Sequence, residues 1–417
     1  MNRPPHSKSP DGPLQGVRIV DLTSVVFGPY ATQLLGDLGA EVIKVEGPVR
    51  NERGEGGDTM RYAGAAPKSG FGPIFMNLNR NKRSLFLDLD QARDREVLAA
   101  LIPTADVFVS NIRMAALRKL KLGYEDVKAL APDIVYAHGS GYDSTGPDAG
   151  QPAYDDLIQA RSGMADLISR TGADEEARYL PSLVADKISG VFLAYAILAA
   201  LFHRQRSGEG QFVEVPMFEV TTSFNLIENF FNQTFSPPTG SWGYTRVFSS
   251  HRRPYRTKDG LIALMPYSTE QWEKIFAALG ASHVFSSDPR FSTFEGRTKH
   301  IDELYELLAG AAPTKTTAEW LELLASLGVP HSRVNRLDDL FDDPQLRARE
   351  FFEPATHPAV GEFFTLKPPV RFSRTPARVR TLPPGVGEHT QEILAELGLA
   401  PRETREGALA GPNPTAN

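Results

Sequence analysis

Asp186 lies in Leu183-Val184-Ala185-Asp186-Lys187-Ile188-Ser189-Gly190, directly before an apolar run over 188–202 that ends in His203-Arg204-Gln205-Arg206-Ser207-Gly208. This pattern predicts a buried helix with a carboxylate at its start. Unpaired N–H groups at a helix start hold such a carboxylate ionised. A fixed, ionised carboxylate can act as a nucleophile, and the chain has no cysteine to take that role. On spacing alone, the simpler reading of Asp186 is a helix cap.

Other chemistry-bearing residues are less pointed. There are nine histidines, and none stands in an H-E-x-x-H or similar spacing, so no metal site is expected. His138 falls at a strand end, where a satisfied polar group is the simpler reading and catalysis the alternative. Asp338-Asp339 with Asp342-Asp343 lacks the glycine and bidentate glutamate of a calcium loop and reads as a solvated acidic face. Asp155 and Asp156 follow Tyr154, but adjacent side chains point to different sides and do not form an evident dyad. No G-x-S-x-G elbow is present. Asn81-Lys82-Arg83-Ser84 and the set Arg113, Arg118, Lys119 and Lys121 border strands. Cations at the carboxyl ends of strands suit a phosphate group; ordinary surface charge is the other reading.

The elements that must position these residues alternate in period. Strands are expected over 17–22, 41–46, 84–89, 105–110 and 134–138, with helices from Gly28-Pro29 to Leu35, over 92–101 and over 115–130. Such alternation implies an α/β fold, with a parallel sheet in a large Rossmann-like domain. The first strand–helix turn, Thr23-Ser24-Val25-Val26-Phe27-Gly28-Pro29, carries no G-x-G-x-x-G, so the dinucleotide fingerprint is absent. Residues 51–72 read as a long surface loop. From 225 to 335 the texture changes to a smaller α+β domain. Ser268-Thr269-Glu270-Gln271 and Thr316-Thr317-Ala318-Glu319 mark two of its helix starts as capping boxes.

Composition bounds the function class. A chain of 417 residues exceeds one ordinary core. Its 41% hydrophobic and 23% charged residues are ordinary for a soluble globular protein. A net charge of −6 and a pI near 5.9 argue against a nucleic-acid partner. The absence of cysteine excludes disulfides and thiolate metal sites and suits a cytoplasmic location. The longest apolar run is about 15 residues, below the roughly 18 needed to span a bilayer, so no membrane partner is expected. The first residues lack the apolar stretch of a signal peptide, and both ends are expected to be loose tails.

Several segments together resemble family III CoA-transferases, the group that includes formyl-CoA transferase and carnitine CoA-transferase. They are the opening from Gly16 through Gly28-Pro29 to Leu38-Gly39-Ala40-Glu41-Val42-Ile43-Lys44-Val45-Glu46, then Gly57-Asp58-Thr59-Met60-Arg61, then Asn79-Arg80-Asn81-Lys82-Arg83-Ser84. Leu122-Gly123-Tyr124-Glu125-Asp126, Ser207-Gly208-Glu209-Gly210-Gln211 and Pro384-Gly385-Val386-Gly387-Glu388-His389-Thr390 follow in the family's order. The resemblance implies that Asp186 is the catalytic nucleophile and that CoA moves from an acyl-CoA to a carboxylic acid through an aspartyl-CoA thioester. Coenzyme A would enter as substrate, with no tightly bound cofactor. Many relatives use succinyl-CoA and dicarboxylates.

By position, Lys82, Asn111 and Lys119 match residues lining the CoA site of relatives. Val26 stands where formyl-CoA transferase has a glutamine near its active site. Tyr154 stands where the family's α-methylacyl-CoA racemases carry a histidine base. The expected coenzyme-binding set is therefore Val26, Lys82, Asn111, Lys119 and Tyr154. Tyrosine, with a pKa near 10, is a poor base at neutral pH, which favours transfer. The alternative is a racemase using Asp186 with another base such as His138. Arg246, Arg252 and Arg253 are candidates for a second substrate carboxylate. The glycine-rich gating loop of formyl-CoA transferase falls near 240–243, around Trp242. The resemblance also implies a large domain built from 1–224 and 336–417, a small domain at 225–335, and an interlocked homodimer.

Overall fold

In the computed structural model, which describes residues 12–48, 56–172 and 176–401, the five expected apolar stretches become strands of one parallel sheet. They are β1 (Arg18–Leu22), β2 (Glu41–Glu46), β3 (Lys82–Phe86), β4 (Val107–Ser110) and β5 (Val135–Ser140). A sixth, β6 (Phe212–Pro216), was not anticipated. It is a half-buried edge strand ending on proline, so it lacks a continuous apolar run. The order β3-β2-β1-β4-β5-β6, with every neighbour parallel, is that of a doubly wound sheet. Strand order reverses between β1 and β4, and ligands of such sheets bind outside the carboxyl ends at that point.

Side chains alternate across the sheet and build two cores. On one face Ile19, Val42, Val107, Val109, Val135 and Ala137 pack against α1 (Phe27–Asp37) and a long helix over Val184–Ser207. On the other, Val20, Ile43, Leu85, Phe108 and Tyr136 lie under α2 (Ala92–Leu101), α3 (Met114–Lys119), α4 (Tyr124–Leu130) and a C-terminal helix over Thr390–Glu396. With the short helix α5 (Asp155–Arg161) between, these two become α6 and α7 respectively. The single helix expected over 115–130 is thus two. Lys121 adopts φ +57°, which no α-helix accepts, and the Asp126 carboxylate takes the Gly123 N–H at 3.1 Å to start α4.

α6 runs 24 residues and is long and apolar enough by composition alone to cross a bilayer. Its Ala185, Leu193, Ala194, Ile197 and Ala200 instead belong to the core over the sheet. Burying Leu193 and Ile197 contributes ~1.5–3 kcal/mol each. The expectation of a wholly buried helix needs correction, because Val191, Phe192, Tyr195 and Phe202 form an exposed apolar stripe.

The described residues fall into two compact units. One comprises the described parts of Met1–Gln159, Pro181–Thr221 and Ala348–Asn417; the other comprises those of Ala160–Leu180 and Thr222–Arg347. The second unit thus takes in 160–180, which the sequence division left in the large domain. Its core gathers Trp272, Ile275, Phe276, Leu304, Tyr305 and Trp320 around β7 (Tyr255–Arg256), β8 (Leu261–Leu264) and β9 (His331–Arg333). Both anticipated capping boxes form there, at Ser268 with Gln271 and at Thr316 with Glu319. Asp339 and Asp343 accept backbone N–H groups of Arg336 and Gln345 as turn caps. In the same unit Arg246 donates to the Tyr305 hydroxyl at 2.9 Å. The expected tails at 1–6 and 406–417 lie outside the described residues.

Candidate active site

The turn from β1 into α1 is tight and strained. Val25 sits at φ +72°, an outlier for a β-branched residue that costs ~1–3 kcal/mol. A Cβ at Gly28 would fall 2.3 Å from the Thr23 side chain, so only glycine closes the turn. Val26 occupies the cap position of α1 and offers no side-chain cap to the first turn of the helix. Gly190, one turn into α6 beyond Asp186, lets the two helices touch. A Cβ there would stand 2.8 Å from the Phe27 carbonyl oxygen and 3.1 Å from the Tyr30 ring. This close approach brings the Phe27 N–H to the Asp186 carboxylate as a hydrogen-bond donor.

Asp186 is the third residue of α6 and is 9% exposed. Its own N–H donates to Asp155 Oδ1 at 3.0 Å. Burial, then the negative charge of Asp155, push the Asp186 carboxyl up to about 7, against the Phe27 N–H, which favours the ionised form. This corrects the expectation that the helix start alone keeps the group ionised: desolvation and a like charge outweigh the N–H groups.

A buried ionic network supports the turn from below. Lys44, within β2, donates to the Thr23 carbonyl at 2.8 Å and to Asp58 Oδ2 at 2.9 Å. Asp58 Oδ1 accepts the N–H groups of Val25 and Met60 at 3.2 and 3.0 Å. Arg61 pairs through two nitrogens with Glu46, at 2.8 and 2.6 Å. Asp21 accepts from Thr23 and Thr32. Burial would raise the Asp21 carboxyl, but the charges of Lys82 and Lys44 hold it below the ordinary range. The segment Gly57–Arg61, expected as part of a surface loop, is therefore pinned to β2 with Arg61 wholly buried. The neighbouring 51–55 lie outside the described residues.

The sequence candidates separate accordingly. Lys82 is buried, and donates to Asp21 at 3.3 Å, Asn79 at 2.9 Å and the Pro29 carbonyl at 3.0 Å. These bonds tie it to β1 and to the first turn of α1. Val26 is buried beside Phe27. Asn111 bridges the switch point: its Oδ1 accepts the Ser24 N–H at 3.0 Å and its Nδ2 donates to the Ser24 carbonyl at 2.9 Å. Lys119 is exposed at the end of α3. Tyr154 is 69% exposed and directly precedes Asp155.

His138 is buried, with Nε2 3.0 Å from the Ile112 carbonyl oxygen. A carbonyl only accepts, so Nε2 carries the proton. Register places His138 with Tyr136 on the sheet face opposite α6, which rules it out as a partner base for Asp186. On that opposite face lies a cavity of about 360 Å³ lined by Met114, Tyr124, His138, Ser144, Phe212 and Glu214. Asp186 does not line it, so the candidate site rests on the chemistry of the α6 turn and not on this hollow. Sequence reasoning named Asp155, Lys44 and Asp58 but gave none of them a role at the site. Their partners stand 31, 14 and 33 residues away, and no local spacing carries that signal.

Comparison with known proteins gives the arrangement its context. The model of the CoA-transferase family III matches residues 14–390. Succinyl-CoA:glutarate CoA-transferase of Mus musculus is 32% identical over 388 residues, covering 92% of this chain and 86% of that protein. Succinyl-CoA:mesaconate CoA-transferase of Haloarcula hispanica is 31% identical over 404 residues, covering 93% and 97%. The crystal structure of a CAIB/BAIF family protein from Brucella suis superposes with a TM-score of 0.77 at 30% identity, over 93% of this chain and 100% of that one. The chain belongs to CoA-transferase family III.

Proposed function

We propose that this protein moves CoA from succinyl-CoA to a second dicarboxylic acid, with Asp186 as the covalent nucleophile. The observation that carries this reading is the buried Asp186 carboxyl, raised to about 7 and met by the Phe27 N–H at the start of α1. A carboxylate of that basicity is a stronger nucleophile than an ordinary aspartate and is still half ionised at neutral pH. The names of the relatives, which pair succinyl-CoA with glutarate or mesaconate, support the substrate class.

Ionised Asp186 attacks the thioester carbonyl, forming an acyl-aspartyl anhydride and releasing CoA thiolate. The thiolate attacks the aspartyl carbonyl, giving aspartyl-CoA and free succinate. The acceptor carboxylate then attacks the aspartyl carbonyl of aspartyl-CoA, expelling CoA thiolate and forming a second mixed anhydride. The thiolate attacks the acceptor's carbonyl in it, giving the new CoA ester and releasing the Asp186 carboxylate. One thioester replaces another, so neither ATP nor a metal is required. The positive end of the α1 dipole, beside Asp186, suits the negative charge that develops in each addition. Exposed Lys119, with Arg113 and Arg118, suits the phosphates, and Tyr154 borders the thioester end.

Succinyl-CoA offered to a panel of acids should give one new CoA ester per succinate released, read by mass spectrometry. Hydrolysis without transfer to any acid refutes the reading. Racemisation would incorporate α-deuterium from D₂O, and the location of His138 predicts none. The exposed apolar stripe of α6 fits a homodimer. Light scattering should give about twice 45.8 kDa; a molar mass of one chain overturns that part.

A further inference from the structure

We propose that Asp155 is a positioning residue that holds the first turn of α6 from outside and sets a second buried carboxylate against the turn that carries the Asp186 nucleophile. The inference rests on the nucleophile reading above. Leu183, the residue at the cap position of α6, offers no side-chain cap. Asp155 takes that place from α5: its Oδ1 accepts the N–H of Asp186, the third residue of the helix, as a cap oxygen does. Its other oxygen, Oδ2, accepts Gln159 Nε2 at 2.6 Å, and the same Nε2 donates to the Ser182 carbonyl at 3.2 Å. Asp155 is 5% exposed and Gln159 wholly buried. The carboxylate is thus locked from both sides and cannot swing away when substrate arrives.

Two roles follow from one side chain. The hydrogen bond fixes where the turn sits. The charge, close to a second buried carboxylate, disfavours the ionised form of Asp186 and raises its proton affinity. The groups that face Asp186 are Asp155 on α5 and the Phe27 N–H on α1. On its own helix Lys187 is turned to the Ser182 hydroxyl. Asp155 is the charged neighbour among them, and its charge adds to burial in raising the Asp186 carboxyl.

The test separates the two roles. In Asp155→Asn the amide oxygen can still accept the Asp186 N–H, but the charge is gone. The acid limb of kcat/KM, near pH 7 in the wild type, should move down by about one unit, and kcat on the alkaline plateau should fall several-fold as the nucleophile weakens. Asp155→Glu restores the charge and should return the limb toward 7. An acid limb unmoved in a folded Asp155→Asn protein overturns the proposal and leaves Asp155 a cap only. Should Asp155→Asn not fold, Asp155→Ser takes its place, because its hydroxyl can still accept an N–H while the charge is gone; an acid limb unmoved in that protein overturns the proposal equally. If aspartyl-CoA at position 186 is found in the wild type while the limb stays unmoved, this inference alone fails. If no such adduct forms, the nucleophile reading itself fails.

Discussion

Asp186→Asn will lower CoA transfer by about 10⁴-fold or more while the protein stays folded. The carboxylate is the atom group that bonds in turn to the acyl carbon and to sulfur, and removing a covalent nucleophile forfeits both half-reactions. The same substitution will raise stability at neutral and alkaline pH. In the folded protein the carboxyl lies near 7, against a reference of 3.8. A raised acid favours its protonated form, so its contribution to stability is full below about pH 4 and is lost as pH rises through 7. A neutral amide escapes that loss. The variant should therefore gain ~2–4 kcal/mol over the wild type at pH 8 and nothing at pH 4, read from denaturant midpoints. Transfer within tenfold of the wild type, or a variant less stable at pH 8, contradicts this account of the site.

Lys44→Ala will destabilise the protein by ~3–5 kcal/mol, because it leaves buried carboxylates without their cation. Lys44 is wholly buried, and burial would lower its pKa, but the charges of Asp58, Asp21 and Glu46 hold it above the ordinary lysine value. Its loss leaves Asp58 and the Thr23 carbonyl unsatisfied directly beneath Val25. The strained β1–α1 turn then loses the network that holds it, so transfer should fall along with stability. Arg170→Ala serves as the contrast. Its pair with Asp166 is nearly half exposed on both sides, and such pairs contribute ~0–1 kcal/mol. A Lys44→Ala change below ~1 kcal/mol, with an unchanged denaturant slope, shows that the network does not hold the turn.

What could be read from the chain follows a physical divide. β1 to β5, α1 and the helix at Asp186 were legible because burial on both sides demands continuous apolar runs. β6 escaped because an edge strand is only half buried. The break between α3 and α4 rests on one residue, Lys121, taking a backbone angle its type seldom adopts. The position of Asp186 at a helix start was legible; its raised carboxyl was not, since that follows from burial and from the charge of Asp155 on another helix. The burial of Lys82 was hidden for a related reason. A lysine before a strand reads as surface charge, and its burial shows only once Asp21, 61 residues earlier, is beside it.

The most direct measurement is to incubate the protein with succinyl-CoA in the absence of acceptor, quench, and map the digested peptides by mass spectrometry, with hydroxylamine as a trap. The account predicts CoA joined to the peptide carrying Asp186, converted by hydroxylamine to a hydroxamate at that residue and absent from Asp186→Asn. A protein that exchanges CoA at full rate with no adduct at position 186, or with the adduct on another residue, contradicts it.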